Sequence, residues 1–317
     1  MKYSEDDLEK FASPIGKTEE EKCKNAIRMV RDALKNIGYT DDGKEIRALT
    51  EGTYAFALDM RSGSKNIVLL TQGSYANKTN IPKQSDVDVA VILESTFTTK
   101  YRTGITDKVY GFTDGTFSAK ELKDEVENAL KDYYSNGVER HDKSIKVYGN
   151  TYRVDADVVP AYRFRDYSAD YENNVNNYEK AIEIRPDSGG RIINYPEQHI
   201  ALGRAKNKAT DYRYKRIVRI VKNIKEDMLD DGIYISDRIS SFGIESLMWN
   251  VDVGVYNKYS SLRFILDEVL DFLNKDRCNF GNYVEANGIK PLFPDMDSKY
   301  AYESFVEKLG NYYEYEV

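Results

Sequence analysis

The sequence predicts an α+β protein in which a mixed sheet lobe is followed by a helical lobe, with a cleft between them. Two patterns favour this fold class. Between about residues 44 and 165, short apolar runs are broken by Gly, Asp and Asn, as is typical of strands. After that point, apolar residues recur at the spacing of amphipathic helices. The predicted domains are an N-terminal segment with a long helix (1–40), the sheet lobe (41–165) and the helical lobe (166–317).

The elements follow in order along the chain. TEEEKCKNAIRMVRDALKNIG predicts a long helix with Thr18 as its N-cap and Gly38 at its end. The sheet lobe contains one further helical segment, SAKELKDEVENALKDYYS, among four predicted strands: NIVLL, VDVAVIL, SIKVYG and YRVDADVV. Strands are expected to stop at Pro160. Helices then follow in YRYKRIVRIVKNIKEDML, SLRFILDEVLDFLNK and YAYESFVEKLGNYYEY.

The composition is typical of a soluble globular protein and excludes several classes. Of the 317 residues, 41% are apolar and 31% charged, and no run approaches the roughly 18 apolar residues of a membrane helix. The polar start of the chain lacks the apolar core of a signal peptide, so we expect a cytoplasmic protein without a membrane partner. Only two cysteines, Cys23 and Cys278, and two histidines, His141 and His199, are present, which disfavours disulfide, zinc or histidine-based metal sites.

The charge pattern argues against broad binding to duplex nucleic acid. The net charge is −7 and the pI is about 5.2, whereas such binding needs an extended basic face. One segment is a cationic exception within this acidic chain, and we call it the basic island: Arg204, Lys206, Lys208, Arg213, Lys215, Arg216, Arg219, Lys222 and Lys225.

One stretch of the sheet lobe, QGSYANKTNIPKQSDVDVAVIL (72–93), places charge where a buried strand is expected. Side chains alternate along a strand, so Asp86 and Asp88 point the same way while the intervening valines face the other side. Two neighbouring carboxylates repel each other, and desolvation raises that cost. A bound Mg²⁺ ion, which prefers one or two carboxylates together with substrate phosphates, removes the conflict.

An Asp-x-Asp motif is weak evidence by itself, because an isolated pair is more often an exposed strand end. The motif occurs three times, and Asp295 and Asp297 in PLFPDMDSK are expected to form an ordinary surface turn. The first pair differs because Gly73-Ser74 stands about a dozen residues upstream. Glycine allows close backbone approach to a ligand, and the amides and hydroxyl of a Gly-Ser turn opening a helix suit a phosphate group.

A second predicted strand, in YRVDADVVPA, carries Asp155 and Asp157 on one face. A third carboxylate beside the first two permits a two-metal site, with one ion activating the attacking hydroxyl and the other steadying the departing pyrophosphate. Such a site needs no histidine base, and His141 and His199 are expected to be structural. The sequence predicts nucleotidyl transfer, because a Gly-Ser turn, a pair of acids and a third acid follow in this order. Either Asp155 or Asp157 can be the third acid.

These residues resemble a known family. The run Gly73-Ser74, Asp86-Val87-Asp88 and Asp157-Val158-Val159-Pro160-Ala161 is similar to the polymerase-β-like nucleotidyltransferases. It is similar more narrowly to the cGAS/DncV-like nucleotidyltransferases (CD-NTases) of bacterial anti-phage (CBASS) signalling. The narrower resemblance rests on stretches between about residues 73 and 293: GSYANKTNIPKQSDVDVAVIL, DVVPAYRF, KNKATDYRYKRIVRIVKNIKED, ISSFGIESLMWNV and NGIKPLF.

The resemblance implies a polymerase-β-like sheet lobe and an oligoadenylate-synthase-like helical lobe, with the active site in the cleft between them. It also implies that the N-terminal helix packs on both lobes. By motif position, the implied roles are triphosphate contacts by Gly73 and Ser74, and coordination of two Mg²⁺ ions, with Mn²⁺ as a substitute, by Asp86, Asp88 and Asp157.

The remaining assignments also follow from motif position. Asp157 stands three residues before Pro160, where the family places its third acid, while Asp155 shares its face and stays open. Lys222 and Ser241 match positions that contact the triphosphate in cyclic GMP–AMP synthase-like enzymes. The helical pattern agrees in part, because Lys222 lies in a charged stripe beside the apolar face, and Lys206 is a further candidate.

The implied activity is the Mg²⁺-dependent, template-independent joining of ATP and other ribonucleoside triphosphates into a cyclic di- or trinucleotide second messenger for anti-phage defence. The implied partner is an effector activated by that product. No Cys/His cluster matches a zinc ribbon, so no requirement for duplex DNA is expected. The alternatives are a linear oligonucleotide product, or modification of an RNA, a protein or a small molecule. A nucleotide sensor without catalysis would fit better if one acid were missing.

Overall fold

The computed structural model describes residues 2–50, 53–83, 86–115, 119–150 and 154–314. By its contacts the chain divides into two compact units. The sheet unit comprises Gly16–Ala76 and Ser85–Glu197, and the helical unit comprises Met1–Ile15, Asn77–Gln84 and Gln198–Val317. These limits differ from the predicted domain limits, because the sheet unit continues past residue 165 and the helical unit includes two segments from the first third of the chain.

The strands of the described chain form one nine-stranded sheet. Their bounds are β1 (Arg47–Ala48), β2 (Phe56–Ser62), β3 (Lys65–Gln72), β4 (Val87–Tyr101), β5 (Val138–Arg140), β6 (Ile145–Val147), β7 (Ala156–Tyr167), β8 (Glu179–Ile184) and β9 (Ile192–Asn194). The order is β1-β2-β3-β4-β7-β6-β5, and β8 pairs with both β7 and β9. The pairing of β4 with β7 is parallel and the others are antiparallel, so the sheet is mixed as predicted.

The helices are α1 (Glu5–Ala12), α2 (Lys17–Asn36), α3 (Gly73–Asn77), α4 (Asp107–Tyr110), α5 (Ala119–Tyr134), α6 (Pro196–Ala209), α7 (Arg213–Asp230), α8 (Ser241–Asn250), α9 (Val253–Asn257), α10 (Leu262–Lys275) and α11 (Met296–Glu314). A 3₁₀ helix covers Arg277–Asn282. The four long helices predicted in α5, α7, α10 and α11 are confirmed. In the part of the chain that is described, no helix has the length and apolarity that crossing a membrane requires.

The sheet separates two apolar layers, and this separation decides where its acids lie. Val87, Val89 and Val91 of β4 pack in a large core with residues of α2 and α5. Ala90 and Ile92 instead belong to a smaller core on the opposite side of the sheet. The alternation predicted from VDVAVIL is therefore present, and the even-numbered positions of β4 up to Ile92 face away from α2 and α5.

The expectation that strands stop at Pro160 is wrong. β7 runs on to Tyr167, and its second half pairs with β8, which pairs in turn with β9. The sequence of β8, EKAIEI, hides this because three of its six residues are charged, including a buried one, Glu183. That carboxylate accepts a hydrogen bond from Thr98 at 2.9 Å and pairs with Arg185 at 2.7 Å, which permits its burial.

Helix α2 differs from its predicted start. It begins at Lys17 with Gly16 as N-cap, so Thr18 lies inside the first turn rather than capping it. Its end agrees with the prediction, because Asn36 is the last helical residue and Gly38 follows with φ of +97°. The side chain of Cys23 lies outside the described part of the structure. Packing of this helix on both lobes stays a prediction.

The helical unit is built around its own apolar core. Helices α7, α8, α10 and α11 contribute most of it, and Tyr3, Leu8 and Ala12 of the N-terminal segment join it. The core also encloses a buried carboxylate, Glu245, which accepts hydrogen bonds from Thr79 at 2.6 Å and from His199 Nε2 at 2.8 Å. These donors offset the desolvation of the charge, in keeping with a structural role for His199.

Candidate active site

Asp88 and Asp157 lie side by side on adjacent strands. The parallel register of β4 and β7 places Asp88 opposite Asp157. Their neighbours Val87, Val89 and Val158 are buried in the core beneath α2 and α5. Because side chains alternate, both aspartates lie on the other face of the sheet. The sequence predicted this shared face for each pair separately, and the register brings the two pairs together.

The turn at Gly73 lies against the Asp88 carboxylate. β3 pairs with β4 so that Gln72 opposes Asp88, and the chain turns into α3 at the next residue. Gly73 has φ of +71°, and a Cβ added there would lie 2.2 Å from Oδ2 of Asp88. Only glycine fits this approach. Ser74 follows, half-buried, in the first turn of α3, so the predicted triphosphate turn and a predicted metal ligand are direct neighbours.

The acids disfavour one another's charge. Desolvation, followed by the charges of Asp157 and Asp86, raises the pKa of Asp88 to about 7. The pKa of Asp157 is also raised, by desolvation and by Asp86, although Lys146 and His141 oppose the shift. Each carboxylate therefore has an unfavourable charge that a cation at the site would stabilise.

One basic residue that sequence reasoning missed approaches these acids. Nζ of Lys146, on β6, lies 2.9 Å from Oδ2 of Asp86 and 3.4 Å from Oδ2 of Asp155. Asp155 also accepts a hydrogen bond from the amide of Gly149 at 2.7 Å. Asp155 therefore already binds two groups on or next to the β5–β6 hairpin, the Lys146 ammonium and the Gly149 amide. Asp157 stands directly beside Asp88, and this arrangement favours Asp157 as the third acid.

The donor set suits a hard divalent cation, with one rearrangement. Carboxylate oxygens are the ligands that Mg²⁺ prefers, and the raised pKa of Asp88 shows a need for positive charge. Within the ranges that the structure covers, no three His, Cys, Asp or Glu side chains converge closely enough to hold a metal. Asp86 pairs with Lys146, so its carboxylate is directed to an ammonium group. The residues present fit a metal once Asp86 is released.

Lys222 and Ser241 belong to the helical unit. Lys222 is 1% exposed, its Nζ donates to the carbonyl of Thr79 at 2.9 Å, and it lies 3.9 Å from Oε2 of Glu245. Burial lowers its pKa to about 8, although Glu245 opposes the shift. Ser241 is the first residue of α8, and its buried Oγ has no hydrogen-bond partner in the described structure. The sequence placed Lys222 at the edge of an apolar face, but the structure buries it.

The basic island is not a continuous basic surface. Lys215 and Arg219 are each 5% exposed and, like Lys222, are buried in the helical unit. Arg219 donates to the carbonyl of Ala12 at 2.7 Å, and Lys206 donates to the carbonyl of Val251. Backbone carbonyls of the helical unit thus use much of the charge that the sequence suggested for a ligand.

The last Asp-x-Asp motif is structural, as the sequence predicted, but it lies at the start of a helix and not in an ordinary surface turn. Asp295 accepts a hydrogen bond from the amide of Ser298 at 2.7 Å and so stabilises the start of α11. Asp297 lies in the first turn of that helix with its side chain 79% exposed, and Arg238 approaches both carboxylates. This pair belongs to the helical unit, whereas the three predicted catalytic acids belong to the sheet unit.

The raised pKa of Asp88 predicts a pH-dependent stability in metal-free protein. The folded-state pKa of about 7 exceeds the usual 3.8, so the folded protein binds more protons between these values and its stability falls as pH rises. From about pH 4 to 7 we expect Asp88 to remove about 2 to 4 kcal/mol. Asn at this position stays neutral, so the melting temperature of Asp88→Asn in EDTA should exceed that of wild type by a margin that grows from pH 5 to pH 7.5. A melting-temperature difference that does not change with pH would contradict the raised pKa of Asp88.

Comparison with known proteins supports the fold and the site. The family model described as the cGAS/DncV-like nucleotidyltransferase C-terminal helical domain matches residues 201–314. The cyclic GMP-AMP synthase CdnE03 of Staphylococcus schleiferi is 38% identical, across 99% of this chain and 98% of its own length. The cyclic dipyrimidine nucleotide synthase CdnE of Cecembia lonarensis is 36% identical, across 82% and 79%. The structure of Elizabethkingia meningoseptica CdnE cyclic dinucleotide synthase with GTP and Apcpp has a TM-score of 0.75 and 28% identity, covering 99% of this chain and all of the other.

A mixed sheet with aligned acids beside a Gly-Ser turn, together with this helical domain, defines a nucleotidyltransferase. The chain belongs to the cGAS/DncV-like nucleotidyltransferases, in their CdnE clade, and is a cyclic dinucleotide synthase. The predicted family, fold class and enzyme class are confirmed, and the predicted di- or trinucleotide product narrows to a dinucleotide. Its wider superfamily, the polymerase-β-like nucleotidyltransferases, is typically metal-dependent.

Proposed function

We propose that the enzyme joins two ribonucleoside triphosphates at a site formed by Asp86, Asp88 and Asp157, with two Mg²⁺ ions. The observation that carries the proposal is the register of Asp88 with Asp157 directly beside Gly73. An acid pair facing a glycine turn has no evident structural benefit, because desolvation and neighbouring carboxylates raise the pKa of both Asp88 and Asp157 and so oppose folding at neutral pH.

Each residue of the site has its own role in the proposed reaction. The three aspartates would hold the ions, which when bound activate the attacking hydroxyl and neutralise the departing pyrophosphate. The Gly73 and Ser74 amides and the serine hydroxyl would donate to triphosphate oxygens. The 2′- or 3′-oxygen of one nucleotide bonds to the α-phosphorus of the other, the bond to the pyrophosphate bridging oxygen breaks, and the hydroxyl proton is released. A second transfer closes the ring.

Lys222 and Ser241 would contact the triphosphate from the helical unit. In the structure described here, Nζ of Lys222 donates to a neutral carbonyl, that of Thr79. A phosphate oxygen is a stronger acceptor because the hydrogen bond is then assisted by both charges. Glu245 would keep its hydrogen bonds from Thr79 and His199 if Lys222 turned to a substrate. The unpartnered Oγ of Ser241 offers a second donor.

We propose ATP and GTP as the substrate pair. The relative from Staphylococcus schleiferi, which matches this chain from end to end, is a cyclic GMP-AMP synthase. The Elizabethkingia meningoseptica structure contains GTP together with Apcpp. The cyclic product would act on a nucleotide-activated effector in anti-phage defence, as the family resemblance implies.

A synthesis assay tests the proposal. Purified protein is incubated with Mg²⁺ and the four ribonucleoside triphosphates, singly and in pairs, then treated with phosphatase and analysed by mass spectrometry. We expect a phosphatase-resistant cyclic GMP–AMP, and a rate for Asp88→Asn lower by at least about 10³-fold, corresponding to several kcal/mol of lost stabilisation. Asp297→Asn, from the surface motif, is the matched control and should keep the wild-type rate.

Three outcomes of the assay would contradict the proposal. A product that loses terminal phosphates to phosphatase would show that the ring does not form under these conditions, and would favour a linear oligonucleotide. Full activity of the Asp88→Asn variant would exclude the acid cluster as the catalytic site. A cyclic product with other bases would leave the site in place but overturn the proposed substrate pair.

A further inference from the structure

Lys146 connects two carboxylates beside the proposed metal site. Its Nζ is 2.9 Å from Oδ2 of Asp86 and 3.4 Å from Oδ2 of Asp155. The register of β6 with β7 places Lys146 opposite Asp157, so its stem starts on the face that carries the acids. The Lys146 side chain is 19% exposed and that of Asp86 43%, so the pair is partly shielded from water.

Asp155 is held in place independently of Lys146. Its Oδ1 accepts a hydrogen bond from the Gly149 amide at 2.7 Å, and its carbonyl accepts one from the Val87 amide at 3.0 Å. Oδ2 faces the ammonium of Lys146. The two acceptors of Lys146 thus lie within reach of one ammonium group, and a small rotation of the side chain moves it from one to the other.

Hydrogen bonds from a buried lysine of α5 hold the hairpin that carries Lys146. Lys123, which is 4% exposed on α5, donates to the carbonyls of His141 and Asp142, each at 2.8 Å. It also bonds Asp187 at 2.8 Å. These bonds fix the turn between β5 and β6, and the β6–β7 ladder fixes the strand itself. A change of partner by Lys146 therefore needs movement of its side chain only.

We propose that Lys146 is a resident cation that competes with the divalent metal for Asp86, and that Asp155 receives its ammonium when the metal takes Asp86. The inference rests on the proposed function, since it requires a metal ligand at Asp86. Without a metal, Lys146 pairs with Asp86, one of the three proposed metal ligands. When a metal binds, repulsion between the two cations drives Lys146 to Asp155, where the Gly149 amide already orients the carboxylate.

The two partners of this exchange have opposite expected effects on metal affinity. Lys146→Met removes the competing charge, so Mn²⁺ should bind about fivefold more tightly, the size expected for a partly exposed ion pair. Asp155→Asn removes the alternative acceptor, so Lys146 stays on Asp86 and Mn²⁺ should bind about threefold more weakly. Loss of a nearby positive or negative charge would by itself give these two signs, so the double variant Lys146→Met/Asp155→Asn tests the exchange. It should bind Mn²⁺ as tightly as Lys146→Met, because Asp155 acts only through Lys146, whereas additive effects of the two changes would overturn the inference.

The experiment uses the full-length protein and Mn²⁺ alone as the probe. Free Mn²⁺ is quantified by electron paramagnetic resonance during titration, and melting temperatures are recorded in EDTA and in saturating Mn²⁺. Lys146→Arg keeps the charge and should keep the wild-type affinity. Lys143→Met, at an exposed position of the same hairpin, is the matched control for loss of one positive charge. In EDTA, Lys146→Met should melt below wild type, and Mn²⁺ should remove that difference.

The outcomes separate this inference from the proposed function. If wild type binds Mn²⁺ and Asp88→Asn does not, the metal site stands, and unchanged or weaker binding by Lys146→Met then overturns the inference alone. Equal tightening by Lys143→Met and Lys146→Met would also overturn it, because the effect would be one of net charge. If wild type binds no Mn²⁺, the inference fails, because it requires a metal that competes with Lys146 before any nucleotide is bound, and the metal site is then tested by the synthesis assay alone.

Discussion

Replacing Gly73 with alanine is expected to lower kcat/KM by at least about 10²-fold while the protein stays folded, since a displacement of about 1 Å at a reacting centre has an effect of this size. The new Cβ would lie 2.2 Å from Oδ2 of Asp88, so either the turn or the carboxylate must move. The turn is proposed to bind the triphosphate, and the carboxylate is proposed to bind the metal. Initial rates of pyrophosphate release, measured beside the melting temperature, give the effect on catalysis and on stability separately.

A second glycine separates collision from backbone strain. Gly63, in the turn between β2 and β3, also has a positive φ, +56°, but a Cβ there would have no neighbour within 4 Å. Gly63→Ala should therefore incur a similar strain, on the order of 1 kcal/mol, without disturbing the acids. We expect it to keep wild-type activity. If Gly73→Ala and Gly63→Ala lose activity equally, contact with Asp88 is not the reason that position 73 needs glycine.

Replacing Gly243 with alanine is expected to destabilise the helical unit by about 3 kcal/mol, the upper end of the usual cost of overpacking. A Cβ at this position of α8 would lie 1.5 Å from the hydroxyl oxygen of Tyr302 on α11 and 2.7 Å from its Cζ. Tyr302 is 4% exposed and packs against Phe293 at a ring distance of 5.1 Å, so it has little room to retreat. A loss of this size corresponds to a fall in melting temperature of about 6 to 12 °C.

Gly310 is the matched control for this substitution. It lies within α11, and a Cβ there would meet Nδ2 of Asn274 at 3.5 Å, an ordinary contact distance. Because alanine favours helix over glycine by up to about 1 kcal/mol, Gly310→Ala should be neutral or stabilising. Comparable destabilisation by Gly310→Ala and Gly243→Ala would show that loss of any helical glycine, and not the approach of α8 to α11, is responsible.

Local patterns were enough to predict the strands that carry the site. The alternation in VDVAVIL and YRVDADVV places the aspartates on one face of each strand, and the structure agrees because Val87, between the first pair, and Ala156, between the second, are buried. The pairing of Asp88 with Asp157 could not be predicted from local patterns. It depends on a parallel contact between strands far apart in the sequence, and no local pattern determines that register.

Other features were missed because their charges are satisfied only in the folded chain. Strand β8 has a buried Glu183, and Lys222 is buried beside Glu245, whereas a sequence pattern assigns charged residues to the surface. Lys146 could have been found, since SIKVYG was predicted as a strand close before the strand of Asp157. Its importance becomes visible only when the hairpin brings its ammonium to Asp86.

The division of the chain into units has a consequence for how this enzyme can be cut or recombined. The boundary between the units is crossed at Ile15/Gly16, Ala76/Asn77, Gln84/Ser85 and Glu197/Gln198. A fragment starting at Gln198 would lack Thr79, which supplies a donor to Glu245 and an acceptor to Lys222. The helical half therefore cannot be grafted onto another catalytic half as one contiguous block, and exchange between relatives must carry residues 1–15 and 77–84 with it.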